Sequence, residues 1–243
     1  MDIKLAVALP FSGRYLAPEW AQALATLTYP MGCSRVVMST KGFPVDQART
    51  ILVKKAQKIG TEYIFFIDED TAPPSDALLQ LMQTLDTSPE NIVACGGIYV
   101  TRSKSSEPLV FAKCGAGAFW KWKFGDIFPC WGLGTGCMLI RTSLFSKLPE
   151  PWFKTVHSRD EAEPEQLKVG DRESDVFEMT EDMFFCDKLD KHGFKILAHG
   201  GVLPVHCGEK GQYFILAPNS YPVRDVAAEK LWYHQFTKPS VRQ

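Results

Sequence analysis

The chain has 243 residues, of which 45% are hydrophobic and 23% charged, and its 27 basic residues nearly balance its 28 acidic ones. The length fits one large α/β domain or at most two small ones, and the composition excludes an intrinsically disordered chain, a coiled coil and a collagen. The formal net charge of −1 also argues against the global positive field on which strong nonspecific nucleic-acid binding depends.

No apolar run approaches the roughly 18 residues that a membrane helix needs, and the first residues are typical of a strand rather than of a signal peptide. The seven cysteines are scattered and form no C-x-x-C pair, which argues against a disulfide scaffold or a structural zinc site. We therefore expect a cytoplasmic protein whose cysteines are mostly small buried residues.

Strands and helices are predicted to alternate along the first hundred residues. Apolar runs predict strands at residues 3–9, 35–39, 63–67 and 91–100. Helical spacing of apolar residues predicts three helices, one that ends at Pro30, one from Pro44 to a C-cap at Gly60, and one after Pro73. This order predicts a mostly parallel sheet with helices on both faces, and ligands of such sheets bind outside the carboxyl ends of the strands.

The second half of the chain is less regular. Short strands are predicted at residues 137–140, 194–198 and 202–205. Thr180 is predicted to begin a helix that runs to about His192. The alternating tryptophans and lysines of residues 119–124 favour an amphipathic strand with inward aromatic rings, although such rings also stack on sugars or bases. Residues 154–175 are polar, which is typical of a long loop.

Asp68, Glu69 and Asp70 follow the predicted strand 63–67 directly and are the strongest indication of chemistry. Two carboxylates spaced i, i+2 after a buried strand can turn toward one cleft. There they would bind a hard cation such as Mg²⁺ or Mn²⁺, which keeps positions open for phosphate oxygens. The alternative is a solvated acidic turn.

Two further groups are candidates for the same chemistry. Glu181 and Asp182 fall in the first turn of the helix that Thr180 begins. There they would supply a general base, or would only stabilise the helix dipole. His206 follows a predicted strand and is either a metal ligand or a polar residue satisfied by the protein.

The glycine-rich segment W-G-L-G-T-G-C at residues 131–137 lets a substrate approach the backbone closely. It lacks the G-x-G-x-x-G spacing of a dinucleotide site, because Cys137 stands at the last position. The sequence also contains no G-x-x-x-x-G-K-[ST] phosphate loop and no G-x-S-x-G nucleophile motif. None of these three sites is therefore supported.

In combination, these motifs resemble those of the GT-A glycosyltransferases, close to the family 2-like enzymes. Asp68-Glu69-Asp70 looks like the D-x-D motif, and Thr180-Glu181-Asp182 looks like the T-E-D motif. Residues 134–141 are similar to the glycine-bearing strand on the acceptor side, and residues 46–49 to the A-R stretch before the D-x-D strand. The resemblance extends over about residues 3–208.

The resemblance implies a fold and a reaction. The fold would be a single GT-A domain over residues 1–243, with a donor-binding half at about 1–100, an acceptor half at about 101–210 and a C-terminal tail at 211–243. The reaction would move a sugar, with inversion, from a nucleotide-diphosphate sugar to an acceptor hydroxyl and would use Mn²⁺ or Mg²⁺. The acceptor would be a saccharide, a small alcohol or a hydroxylated nucleobase in nucleic acid.

The resemblance also implies roles for individual residues. Asp70 would bind the cation, Asp68 would contact the ribose or reach the metal through water, and His206 would complete the metal shell. Asp182 would be the base that deprotonates the acceptor, with Glu181 beside it. The donor side would comprise Pro10, Ser12, Arg14, Arg49, Asp68, Glu69 and Asp70. The acceptor side would comprise Trp131, Gly134, Thr135 and Gly136.

Two other functions remain open at this point. In a phosphatase of the haloacid dehalogenase type, Asp68 would be the nucleophile and Asp70 the acid/base, and Asp171 and Asp175 would form the later motif. That family usually carries its D-x-D after the first strand, whereas here the strand is the third. A nucleotide-sugar-binding module without turnover would keep both aspartates of the D-x-D, and the presence of Asp182 argues against it.

Overall fold

The computed structural model describes residues 4–13, 16–103, 106–157, 179–208, 213–214 and 216. In the first hundred residues it confirms the predicted alternation, with the elements β1 (Leu5–Phe11), α1 (Pro18–Thr26), β2 (Arg35–Lys41), α2 (Val45–Ile59), β3 (Tyr63–Ile67), β4 (Thr71–Ala72), α3 (Ala77–Asp86) and β5 (Ile92–Gly97). The later described residues form β6 (Val110–Phe111), β7 (Ile127–Cys130), β8 (Gly132–Leu133), β9 (Cys137–Arg141), a 3₁₀ turn (Thr142–Ser146), α4 (Glu181–Lys191), β10 (Lys195–His199), β11 (Val205–Cys207) and β12 (Tyr213–Phe214).

The described strands build a seven-stranded central sheet in the order β2-β1-β3-β9-β5-β10-β7. Five of them, β1, β2, β3, β5 and β10, run in one direction, and β9 and β7 run against them. Helices α2 and α4 pack on one face of the sheet, and α1 and α3 pack on the other. The prediction of a mostly parallel sheet between helices is confirmed.

Strand β3 forms the centre of the core. All of its residues are buried, with Ile64 and Phe66 facing the cluster that contains α2, and Phe65 and Ile67 facing the cluster that contains α3. A strand covered on both faces has a continuous apolar sequence, which is why Y-I-F-F-I predicts its limits correctly. The acidic residues that follow Ile67 are therefore the first polar side chains after this buried strand.

Strand β9 lies between β3 and β5 and pairs antiparallel with both. Its register places Cys137 opposite Ile67. Because β9 runs against β3, the start of β9 meets the end of β3, and the amide of Asp68 donates to the carbonyl oxygen of Gly136 at 3.0 Å. The glycine-rich segment is thereby held beside the acidic turn.

A second, small sheet brings His206 to the same place. Strand β4 follows the acidic turn directly and pairs antiparallel with β11, with Thr71 opposite His206. The amide of Cys207 donates to the carbonyl oxygen of Asp70 at 2.6 Å. The backbone pairing therefore aligns the late histidine with the D-x-D turn.

Two predicted strands differ from the structure. Residues 119–124 form no strand, and the indole nitrogen of the buried Trp122 donates instead to the carbonyl oxygen of Phe119 at 3.1 Å. The strand predicted at 202–205 is displaced to Val205–Cys207, because the amide of Val202 donates to the carbonyl oxygen of His199 at 3.0 Å and closes a turn. In both segments, turn hydrogen bonds take the place of the sheet pairing that apolar content alone predicts.

Parts of the predictions lie outside the described residues. The predicted loop 154–175 is described only to residue 157, and the tail 211–243 only at residues 213, 214 and 216. All seven cysteines are described and free, and five of them are buried. Within the described ranges, no helix combines the length and the apolar content that crossing a bilayer requires.

Candidate active site

The candidate site lies at the carboxyl end of β3. Asp68, Glu69 and Asp70 occupy the turn between β3 and β4, and the amide of Thr71 closes that turn on the carbonyl oxygen of Asp68 at 3.0 Å. The three acidic side chains diverge, and each has different partners. This edge of the sheet is the one at which a parallel α/β fold binds ligands.

Arg49 of α2 links the acidic turn to the first turn of α4. Its Nη2 atom donates to Oδ2 of Asp68 at 2.8 Å, and its Nε atom donates to Oε1 of Glu181 at 3.3 Å. Arg49 is 1% exposed, and a cation buried to that degree must be paired. Its burial and these two bonds favour a role in holding the carboxylates rather than in lining the nucleotide pocket.

The electrostatics of this buried group follow from its composition of one cation and two carboxylates. Burial raises the pKa of Asp68, and although Arg49 opposes the effect, the charges of Asp70 and Asp182 add to it. Burial likewise raises the pKa of Glu181. Burial alone would lower the pKa of Arg49, but the two carboxylates raise it, so that the guanidinium stays charged.

Asp70 turns away from this group toward two other cationic partners. Its Oδ2 atom lies 3.0 Å from Nη1 of Arg102 and 3.5 Å from Nε2 of His206. Burial acts to raise the pKa of Asp70, but the hydrogen bond and charge of His206 together with Arg102 outweigh it and hold the pKa below its ordinary value. Asp70 is therefore ionised at neutral pH.

The orientation of His206 is set by its neighbours. Its Nδ1 atom lies 2.6 Å from the carbonyl oxygen of Val100, which can only accept, so Nδ1 carries a proton. In the neutral imidazole, the lone pair of Nε2 then faces Asp70. The ring of Tyr99 packs edge-on against the imidazole at a centroid distance of 5.2 Å.

Tyr99 also accounts for the glycines of residues 134–136, the segment that was predicted to line the acceptor. Its hydroxyl accepts a hydrogen bond from the amide of Gly136 at 3.0 Å. A Cβ atom at Gly134 would collide with this hydroxyl, and one at Gly136 would lie 2.8 Å from it and 2.9 Å from Oδ2 of Asp68. Thr135, between the two glycines, is fully buried. Glycine is required here because side chains from three segments converge on the backbone.

Asp182, the predicted base, stands in the first turn of α4. Its Oδ1 atom accepts hydrogen bonds from the amide of Met183 at 2.9 Å and from the hydroxyl of Thr180. Adjacent helical residues point in different directions, and Glu181 accordingly turns inward to Arg49 while Asp182 stays half-buried. The charge of Asp182 still reaches Asp68, whose pKa it helps to raise.

The remaining predicted residues are spread around this centre. Pro10 is buried in β1, and the amide of Ser12, just beyond β1, donates to Oε2 of Glu69 at 3.0 Å. The hydroxyl of Ser12 donates to the other carboxylate oxygen. Trp131 is half-buried directly before β8, and Arg14 lies outside the described residues. Ser12 and Glu69 thus join the end of β1 to the acidic turn.

Two residues of the site, Tyr99 and Arg102, belong to none of the sequence motifs. Both follow β5, whose carboxyl end lies at the ligand-binding edge of the sheet. That position is the signal that could have indicated them. Their partners, however, come from the residue before β9, from β11 and from the turn after β3, which sequence spacing does not relate to β5.

The predicted metal ligands meet only in part. Asp70 and His206 face one another and offer the oxygen and nitrogen donors that divalent cations accept. Asp68 bonds to Arg49 through Oδ2, and its buried Oδ1 has no protein partner among the described residues. Within those residues, no three His, Cys, Asp or Glu side chains converge on one metal position. The donor set therefore fits a cation held by Asp70 and His206, and Asp68 is not among the side chains that face it.

A separate cavity of about 550 Å³ lies at the opposite end of β3, where Tyr63 and Arg141 line it. The guanidinium of Arg141 already donates to the carbonyl oxygens of Leu85 and Ile92. None of the predicted site residues lines this cavity. It is therefore not part of the candidate site.

No protein-family profile matches the chain, and no curated protein matches its sequence. Several solved structures are similar. A197 from STIV is 15% identical with a TM-score of 0.59, over 91% of this chain and 97% of that one. GalNAc-T7 with UDP, GalNAc and Mn²⁺ is 11% identical with a TM-score of 0.49, over 85% and 44%. S. aureus TarS 1-349 in complex with UDP-GlcNAc is 14% identical with a TM-score of 0.49, over 90% and 62%.

The chain spans nearly the whole of A197 but less than two thirds of the GalNAc-T7 and TarS chains. At 15% identity, the likeness to A197 shows a common fold and leaves the activity to be argued from the site. The predicted fold class is confirmed as a mixed α/β fold with a mostly parallel central sheet between helices, and this fold is shared with A197.

Proposed function

We propose that the protein is a glycosyltransferase that moves a sugar from a nucleotide-diphosphate sugar to an acceptor hydroxyl. The convergence of distant segments on Asp68 is the observation that carries this proposal. Arg49 joins Asp68 to the T-E-D turn, and the carbonyl of Gly136 bonds to its amide. A candidate cation-binding turn held beside a candidate base is the arrangement that group transfer needs in one place.

The donor diphosphate is expected beside Asp70. Asp70 and His206 would hold Mn²⁺ or Mg²⁺. Such a cation neutralises the charge that develops on a diphosphate leaving group. Cation binding requires an ionised Asp70 and the neutral form of His206, in which the Nε2 lone pair faces that carboxylate.

Asp182 is the proposed general base. Glu181 is occupied by Arg49, which leaves Asp182 as the half-buried carboxylate of the same helical turn. With an acceptor bound within hydrogen-bond reach of its carboxylate, Asp182 would take the proton of the acceptor hydroxyl as the acceptor oxygen attacks the sugar. One base opposite the leaving group suits an inverting displacement.

The acceptor is expected on the side of Trp131, which is half-buried, whereas residues 134–136 lie beneath the side chains of Tyr99 and Asp68. The half-buried ring of Trp131 offers an apolar face of the kind that stacks on sugars or bases. A saccharide, a small alcohol and a hydroxylated nucleobase are the acceptor classes to test.

The phosphatase alternative receives less support from the geometry. A nucleophilic Asp68 would need a carboxylate oxygen free to reach phosphorus, whereas Oδ2 bonds to Arg49 and Oδ1 is buried. Asp171 and Asp175, which would form the later motif, lie outside the described residues. We therefore propose no second function.

A panel of nucleoside diphosphates and nucleotide sugars, each with Mn²⁺ or with a chelator, tests the proposal by thermal shift. A ligand at a hundredfold excess over its Kd stabilises the folded state by about 2.7 kcal/mol, which raises the Tm by roughly 5–10 °C for a chain of this size. We expect a Mn²⁺-dependent shift with the diphosphates of one base, followed by sugar transfer to an acceptor. Binding without transfer would favour the non-catalytic module, and no shift together with phosphate-ester hydrolysis would favour the phosphatase.

A further inference from the structure

Arg102 already occupies the place of a cation beside Asp70. Its Nη1 atom lies 3.0 Å from Oδ2 of Asp70, the same oxygen that lies 3.5 Å from Nε2 of His206. The side chain of Arg102 is 45% exposed, and that of Asp70 is 28% exposed. An ion pair with this much exposure is weak and exchanges with other cations.

The two nitrogen-bearing neighbours of Asp70 differ in what they offer a metal ion. In its neutral form, His206 presents a lone pair on Nε2, because the Nδ1 proton is held by the carbonyl of Val100. Arg102 has only N–H donors and a permanent positive charge. A divalent cation at Oδ2 of Asp70 would be repelled by a guanidinium bonded to that oxygen. His206 is therefore suited to be a ligand, and Arg102 to be a competitor.

The backbone around Arg102 is anchored, so that exchange requires only a movement of the side chain. The amide of Thr101 donates to the carbonyl oxygen of Glu107 at 2.8 Å, and Val100 forms a β-bridge with Pro108. These contacts hold both sides of the turn that carries Arg102, whose side chain extends toward solvent.

We propose that Arg102 is a competing counter-cation of Asp70, which a divalent cation must displace in order to bind. It satisfies the ionised carboxylate while no metal is present and sets the metal concentration at which the site fills. The inference rests on the proposed function, in that it takes Asp70 and His206 as the cation site.

Mn²⁺ binding to the full chain without nucleotide tests this proposal, measured by calorimetry or by the electron paramagnetic resonance of free Mn²⁺. We expect Arg102→Ala to bind Mn²⁺ about fivefold more tightly than the wild type, the order of change expected when a partly exposed ion pair no longer competes. Arg102→Lys, which keeps the charge, should fall between them. Lys58→Ala, a charge removed from the last turn of α2, is the matched control and should leave the affinity unchanged.

Several outcomes would overturn the proposal. These are equal or weaker Mn²⁺ affinity in Arg102→Ala, no Mn²⁺ binding by any variant, and tight binding that persists when Asp70→Asn is added to Arg102→Ala. The thermal-shift panel separates this result from the proposed function. If Arg102→Ala raises the Mn²⁺ affinity but the protein binds no nucleotide sugar, the competition by Arg102 is supported and the glycosyltransferase function is refuted. If the protein binds nucleotide sugars but Arg102→Ala leaves the Mn²⁺ affinity unchanged, the function is supported and the competition is refuted.

Discussion

Nη2 of Arg49 lies 2.8 Å from Oδ2 of Asp68, which makes a helix residue the buried counter-ion of the D-x-D turn. The same guanidinium bonds to Glu181, so that one side chain ties together α2, the end of β3 and the start of α4. The relative positions of the candidate donor and base segments therefore depend on one buried cation.

Arg49→Met should destabilise the protein strongly. The substitution leaves Asp68 and Glu181 buried without their cation, and breaking a buried ion pair in this way costs about 3–5 kcal/mol. Arg35→Met, which removes an exposed guanidinium above the ring of Tyr29, should cost less than about 1 kcal/mol. Urea unfolding measures the free energy of unfolding of both variants. Equal losses would show that the buried ion pairs of Arg49 contribute no more to stability than the exposed Arg35 does.

Glu181→Gln should change how stability depends on pH. Burial raises the pKa of Glu181 in the folded state, so its favourable contribution is complete below the ordinary value of 4.5 and is lost as the pH rises through the raised value. Glutamine does not titrate and can still accept from Arg49. The free energy of unfolding of the variant should therefore rise relative to that of the wild type as the pH increases from 4.5 through the raised pKa of Glu181. Glu62→Gln is the exposed control, and a trend of the opposite sign would contradict the assignment.

Gly136→Ala should be destabilising, whereas Gly117→Ala should be neutral. A Cβ atom at Gly136 would lie under 3.0 Å from Thr71, Tyr99 and Asp68, and overpacking of this kind costs about 1–3 kcal/mol. A Cβ atom at Gly117 would meet nothing within 4 Å, so we expect a change within about 0.5 kcal/mol. Thermal unfolding compares the two variants, and unchanged Tm values in both would show that the site accepts a methyl group.

Asp70→Asn and Asp182→Asn should separate binding from transfer. Loss of the Asp70 charge should abolish the Mn²⁺-dependent part of donor binding. Asp182→Asn should leave donor binding nearly intact and lower the transfer rate about 10²–10⁴-fold, as expected for the loss of a general base. The thermal-shift panel and a single-turnover transfer assay measure the two effects, and equal loss of binding in both variants would refute the roles proposed for them.

The strands, helices and acidic turn of the first half were predictable because their signals are local. Strand β3 is apolar throughout since both of its faces are covered, and Gly60 ends α2 in the left-handed conformation at φ 82°. Arg49 carried a local signal as well. It shares the buried stripe of α2 with Leu52, Val53 and Ala56 at helical spacing, which indicates burial although not its partners.

The remainder of the site depends on which strands become neighbours. An apolar run such as that of β9 is the same whether its strand runs parallel or antiparallel, so sequence does not place it between β3 and β5. The contacts of Tyr99 with Gly136 and His206 follow from that placement. The structure of residues 119–124 also depends on the rest of the fold, because Trp122 is buried without belonging to a strand.

Strand β9 comes from the second half of the chain but separates two strands of the first half. A fragment that ended near residue 100 would carry β3 and β5 without the strand to which both hydrogen-bond, and such bare edges favour association. The first and second halves of the chain are therefore interleaved in one sheet, and neither half could be exchanged for its counterpart from another chain without breaking the pairing of β9. Under the proposed function, a change of acceptor would therefore have to arise by substitution within loops, with the shared sheet left intact.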